Sequence, residues 1–161
     1  MLLLDSLPVC ISYVDSLQVY RYNNQTYEVW FRRPRETVNG RHMQDILGPE
    51  AFERIKPKVE TALSGREVHF EMRIPYKDAG MRDVEASYVP HIAEDGLVLG
   101  FFALIRDVSE RKQAEQAIYR QSLFFNNAHD AVSTCDLSGN IQSWNARAKE
   151  LYGYSAEETV G

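Results

Sequence analysis

The stretch Phe101-Phe102-Ala103-Leu104-Ile105-Arg106-Asp107-Val108-Ser109-Glu110-Arg111-Lys112 joins two patterns with no loop between them. From Leu97 to Ile105 the chain is apolar in both alternating phases, which predicts a central strand covered on both faces. The strand stops at an acidic residue and a charged helix begins at once. Asp107 or Ser109 is placed to cap that helix, and Glu110 stands three residues after Asp107, the spacing of a capping box. A junction of this kind turns strain in a sheet into movement of a rod.

Upstream, Val68, Phe70, Met72 and Ile74 alternate with His69, Glu71, Arg73 and Pro75, a period of two that predicts a strand. Val84, Ala86 and Tyr88 repeat the pattern after the turn Asp78-Ala79-Gly80, and Asp95-Gly96 marks the next hairpin. Before these strands the period changes. Tyr27, Trp30 and Phe31 share one helical face, as do Met43, Ile46 and Leu47, and Phe52, Ile55, Val59 and Leu63. Pro57 inside the last group predicts a kink or a split. Val9 to Val14 and Val19 to Tyr22 read as two opening strands, with Asn23-Asn24 as a helix cap after them. Leu2, Leu3, Leu4 and Leu7 form an apolar turn ahead of Pro8. Two strands, several short helices and three antiparallel strands make an α+β pattern, with the helices on one face of a five-stranded sheet.

After Asp107, the residues Ala114, Ala117, Gln121 and Phe124 fall at three-four spacing on a linker helix, flanked by Ile118 and Phe125. Both a solvated connector and a parallel dimer helix fit so short a stripe. Beyond the helix the opening of the chain recurs. At an offset of 121 residues Ile11 matches Val132, Ser12 matches Ser133, Asp15 matches Asp136, Asn24 matches Asn145, Phe31 matches Tyr152, Glu36 matches Glu157 and Gly40 matches Gly161.

Composition narrows the function classes. The chain has 161 residues, 44% hydrophobic and 25% charged, with a net charge of −5, the balance of a globular protein rather than of a basic nucleic-acid surface. Cys10 and Cys135 are its two cysteines, with neither disulfide nor zinc spacing, and a reducing cytoplasm is expected. No apolar run reaches the ~20 residues that span a bilayer, so no direct membrane contact is expected. There is no Gly-rich phosphate loop, no Gly-x-Ser-x-Gly elbow and no kinase or cyclase signature, so the chain reads as no enzyme in itself.

The segment Asp107-Val108-Ser109-Glu110-Arg111-Lys112 closely resembles the end of a PAS sensor domain, where the last strand meets the signalling helix, and Leu151-Tyr152-Gly153-Tyr154-Ser155 resembles the same family. The resemblance implies the PAS fold, from a tandem region of a bacterial-type signalling protein. The expected organisation is a PAS domain over 1–108, a signalling helix over 109–124 and the opening of a second, truncated PAS domain over 125–161. It implies a regulatory module that senses a small-molecule ligand or partner and transmits a change through Asp107, Ser109, Glu110 and Arg111. Output, such as a histidine kinase of a two-component system or a diguanylate cyclase, would lie outside this chain. A homodimer without nucleic acid is the expected assembly. A ligand-free dimerisation scaffold with a filled core is the alternative.

PAS domains hold ligands between the sheet and the short helices. The residues here with the position to line that space are Tyr27, Trp30, His42, Met43, Ile46, Phe70, Met72, Tyr88 and Phe102, and each has core packing as its ordinary alternative role. The resemblance makes His42 the position to examine for a haem ligand, though nothing else marks a haem pocket. Flavin photosensors of this fold carry Asn-Cys-Arg-Phe-Leu-Gln where this chain has Arg41-His42-Met43-Gln44-Asp45-Ile46-Leu47, without the adduct cysteine. Neither haem nor non-covalent flavin is favoured, and the cofactor stays unknown. Arg73 and Arg82 are possible anchors for an anion, with a solvated role favoured for both.

Overall fold

The computed structural model describes residues 3–161, and the chain divides into two compact units, Met1–Glu110 and Arg111–Gly161. In the first unit a 3₁₀ turn, Leu3–Ser6, leads into β1 (Cys10–Asp15) and β2 (Tyr20–Asn23). Four helices follow: α1 (Gln25–Phe31), α2 (Arg35–Val38), α3 (Met43–Leu47) and α4 (Pro49–Leu63). The long strands β3 (Val68–Tyr76), β4 (Gly80–Ile92) and β5 (Val98–Asp107) complete an antiparallel sheet of order β2-β1-β5-β4-β3. The last strand therefore lies at the centre, between the first strand and the hairpin that precedes it.

The apolar stripes foreseen on the helices face the sheet. Tyr27 and Phe31 of α1, Met43, Ile46 and Leu47 of α3, and Phe52, Ile55 and Val59 of α4 are all buried with Val84, Ala86 and Tyr88 of β4 in one core. Full burial of each large side chain contributes about 1.5–3 kcal/mol, so this single face carries most of the unit's stability. Pro57 does not split α4, which runs unbroken from Pro49 to Leu63. Buried Ile55 and Val59 lie on either side of Pro57, and their packing outweighs the one lost backbone bond.

The strand β5 corrects two expectations. It is covered on one face only: Phe101, Ala103 and Ile105 are buried, while Phe102 and Leu104 are 43% and 40% exposed. Phe101, Ala103 and Ile105 are thus the inward set, and Phe102, expected to line the interior, points away from it. A strand apolar in both phases hides which face is the core, and the partner strands decide. Phe101 faces in with Tyr88, whose ring lies 4.9 Å away, whereas Phe102 meets Tyr13 and His91 on the other face. Gly100 sets the approach of β5 to β1, because a Cβ there would stand 2.2 Å from the Val14 carbonyl oxygen. Leu4 and Leu7 are exposed. Leu2 and the side chain of Leu3, foreseen in the same apolar turn, lie outside the described residues.

In the second unit, α5 (Ser109–Asn126, mostly within this unit) is followed by the hairpin β6 (Ser133–Cys135) and β7 (Ile141–Trp144), then α6 (Ala146–Tyr152) and α7 (Ala156–Thr159). The hairpin turn repeats the β1–β2 turn bond for bond. Asp15 accepts from the N–H groups of Leu17 and Val19 and from Arg21; Asp136 accepts from the N–H groups of Ser138 and Asn140 and from Gln142.

Candidate functional site

The space between helices and sheet is filled by rings. Tyr20 and Tyr27 share a hydroxyl hydrogen bond of 2.8 Å, Tyr27 stacks on Phe31 at 5.0 Å, and Phe31 meets Tyr76 edge-on at 5.6 Å. A second run joins Phe70 to Tyr88 at 5.2 Å and Tyr88 to Phe101. Burial pushes the phenols of Tyr20, Tyr27, Tyr76 and Tyr88 up, and the Cys10 thiol likewise, so all five are neutral. This interior is therefore packed by rings and uncharged at these five groups. Two buried oxygens on it, Ser12 Oγ and Asn23 Oδ1, have no hydrogen-bond partner.

Of the nine residues expected to line this space, Tyr27, Met43, Ile46 and Tyr88 are buried in the core, and Trp30, Phe70 and Met72 pack against it half-buried. Phe102 lies on the opposite face. His42 is the N-cap of α3: its Nδ1 accepts from the Gln44 N–H at 3.1 Å, and its ring packs on Phe52. Among the described residues no group of three or more His, Cys, Asp and Glu side chains is arranged to hold a metal ion.

The rim of this interior reaches the helix junction. Arg82 starts the inward phase of β4, two residues before Val84, and its guanidinium lies over the Trp30 indole at 4.8 Å. The same guanidinium pairs with Asp107 Oδ2. Asp107 Oδ1 accepts from the Ser109 N–H at 2.9 Å, so this carboxylate satisfies a free N–H of the first turn of α5. Ser109 Oγ in turn accepts from the Asp83 N–H at 2.9 Å, and the Val108 N–H donates to the Asp83 carbonyl at 2.8 Å. Burial pushes the Asp107 carboxyl up, but the Ser109 hydrogen bonds and the Arg82 charge together outweigh it and hold the carboxyl below the ordinary value. Glu110 lies in the first turn of α5, and Arg111 pairs with Glu115 one turn on.

This placement corrects the solvated role expected for Arg82 from the sequence. The sequence does contain the signal: Arg82 shares its even phase with Val84, Ala86 and Tyr88. Arg73, in the odd phase of β3, is exposed as expected.

A five-stranded antiparallel sheet with short helices on one face and a helix leaving its central strand defines a two-layer α+β domain. Residues 4–113 match the family model of the PAS fold, and residues 119–161 match a second PAS-fold model. The chain belongs to the PAS family, whose members are in general sensory and regulatory modules. Solved structures agree in fold. The PAS domain of a protein from Colwellia psychrerythraea is 23% identical with a TM-score of 0.58, over 67% of this chain and 92% of that one. The PAS domain of BvgS from Bordetella pertussis is 17% identical with a TM-score of 0.57, over 75% and 92%. An RNA-binding light-oxygen-voltage receptor is 19% identical with a TM-score of 0.61, over 74% of this chain but 35% of its own length. No curated protein matches the chain. No helix among the described residues is long and apolar enough to cross a membrane.

Proposed function

We propose that the chain is a signal-sensing module in which a small ligand or partner acts on the ring-lined interior and the change leaves through α5 toward an output domain. Residues 1–108 are the sensor, 109–124 the signalling helix and 125–161 the opening elements of a second PAS domain. Trp30, Tyr27, Met43, Ile46, Phe70, Met72 and Tyr88 form the sensing interior, with His42 at its edge. One observation carries this reading: Arg82 touches Trp30 on one side and Asp107 on the other, and Asp107 holds the first turn of α5. A guest that moves Trp30 changes the ion pair, and with it the cap. Two states that differ in this way respond to any ligand with unequal affinity for them.

Replacing Trp30 by Leu tests the path without knowledge of the ligand. Amide exchange at Ser109–Lys112 is expected to rise about fivefold, as the cap is weakened by roughly 1 kcal/mol. Unchanged exchange there would refute the path.

The ring-filled core favours a second reading, a ligand-free dimerisation scaffold. On it the outer sheet face, with Phe102 and Leu104, joins Leu4, Leu7 and α5 in a homodimer. A guest retained in native mass spectrometry of the purified chain speaks for the sensor; a dimer without guest speaks for the scaffold.

A further inference from the structure

We propose that a buried asparagine at the head of the helix that follows the opening hairpin of each unit is the clamp by which the hairpin grips the segment leading into it. These are Asn24 in the first unit and Asn145 in the second. Asn145 Nδ2 donates to the Phe125 carbonyl in the last turn of α5 and to the Asp130 carbonyl, both at 3.0 Å. Its Oδ1 accepts from the Val132 N–H at 3.0 Å, just ahead of β6, and from the Ala148 N–H of α6 at 2.8 Å. One side chain, 1% exposed, thus ties the helix end, the connecting loop, the hairpin and the next helix together.

The first unit repeats three of these four bonds at the same offset, without the bond to the helix that follows. Asn24 Nδ2 donates to the carbonyls of Leu4 at 2.9 Å and Val9 at 2.8 Å, and Oδ1 accepts from the Ile11 N–H at 3.0 Å. Leu4, Val9 and Ile11 are the counterparts of Phe125, Asp130 and Val132, and Asn24 is fully buried. The amide orientation follows from the partners, since N–H groups meet Oδ1 and carbonyls meet Nδ2 in both units.

Buried amides that fill all their hydrogen bonds are costly to replace, because each lost partner leaves a desolvated polar atom. The value of the clamp is mechanical. The loop from Asn127 to Ala131 would otherwise let the helix end and the hairpin turn independently. The Asn145 bonds make them one body, so a rotation or shift of α5 is delivered to β6 and α6 rather than absorbed by the loop. The equivalence assigns the same task to the Leu3–Ser6 turn, gripped at Leu4 where α5 is gripped at Phe125.

This use of the clamp rests on the reading of α5 as a signalling helix, but its geometry is tested separately. Cys135 is exposed and Cys10 buried, so a spin label at Cys135 and another at Gln116→Cys read helix against hairpin within the second unit of the full chain. The discriminating variant is Asn145→Asp, which keeps both acceptor bonds and loses both donor bonds. The expected result is a distance distribution broadened about twofold or more, with exchange at Val132 and Ala148 within about threefold of the parent. A distribution as narrow as the parent's overturns the proposal. Should Asn145→Asp instead release Val132 and Ala148, the first unit decides. There Asn24→Asp is expected to raise proteolysis between Leu4 and Val9 about tenfold, with exchange in β3–β5 unchanged, and unchanged proteolysis overturns the clamp. Failure of α5 as a signalling helix would leave these results intact and appear in the Trp30 and Asp107 variants.

Discussion

Arg82 and Asp107 form an ion pair that bridges the ring-filled interior and the start of α5: the arginine rests on Trp30, and the aspartate takes the Ser109 N–H. The pair is half-buried, so neither partner is fully screened by water. Removal of the carboxylate in Asp107→Ala is expected to cost about 1 kcal/mol of local helix stability through the lost cap. Exchange at Ser109 and Glu110 measures it, and parent-like protection there would show that Val108 and Ser109 hold the helix start by themselves.

The same pair sets an acid dependence. The Asp107 carboxyl is held below its ordinary value in the folded chain, so the unfolded state binds its proton more readily. Its contribution is present in full above the ordinary aspartate range, near pH 4, and is lost as pH falls through the lower folded value. Asp107→Asn should therefore lower the unfolding midpoint at pH 7 and leave a smaller difference from the parent near pH 3. A difference that grows toward acid would reverse the sign and contradict the assignment.

Gly100 is required by close approach. In Gly100→Ala the new methyl would meet the Val14 carbonyl at 2.2 Å and the Asp15 Cα at 2.8 Å, so β5 and β1 must separate. A loss of about 2–3 kcal/mol is expected from such overpacking, read by urea denaturation. A loss below about 0.5 kcal/mol would mean that β5 tolerates a shift away from β1.

The outer face of the sheet gives a prediction about assembly. Phe102 and Leu104 are apolar, partly exposed and adjacent on one strand face, and Ile92 and Leu99 add to the exposed apolar surface. Sedimentation should show a dimer that the double variant Phe102→Glu, Leu104→Glu converts to monomer. A parent that remains monomeric at high micromolar concentration would exclude the scaffold reading.

Much of this architecture was legible in the sequence. The period-two strands, the helical stripes and the repeat at 121 residues were readable because each carries its periodicity in residue type, and Asp15 and Asp136 close the same turn. The phase of β5 was not readable, since Phe101 and Phe102 are alike in character and Tyr88 and Tyr13, on other strands, decide which is inside. Arg82 was misplaced because a long charged side chain on an inward phase can reach the rim of the core, where Trp30 and Asp107 receive it. The caps made by Asn145 and His42 depend on loop geometry, which residue type alone does not specify. In the second unit α5 stops at Asn126 and a hairpin forms, stabilised by the Asp136 turn and the Asn145 bonds.

The path from Trp30 through Arg82 and Asp107 into α5 is tested most directly by a double-mutant cycle on Trp30→Leu and Asp107→Ala, read as amide exchange at Ser109–Lys112. Residues that act through one ion pair couple, so the Trp30 effect should be present in the parent and largely vanish once Asp107 is gone, a coupling of about 0.5–1 kcal/mol. Strictly additive effects of the two substitutions would show that the interior and the helix start are independent, and would contradict the sensing route proposed for this chain.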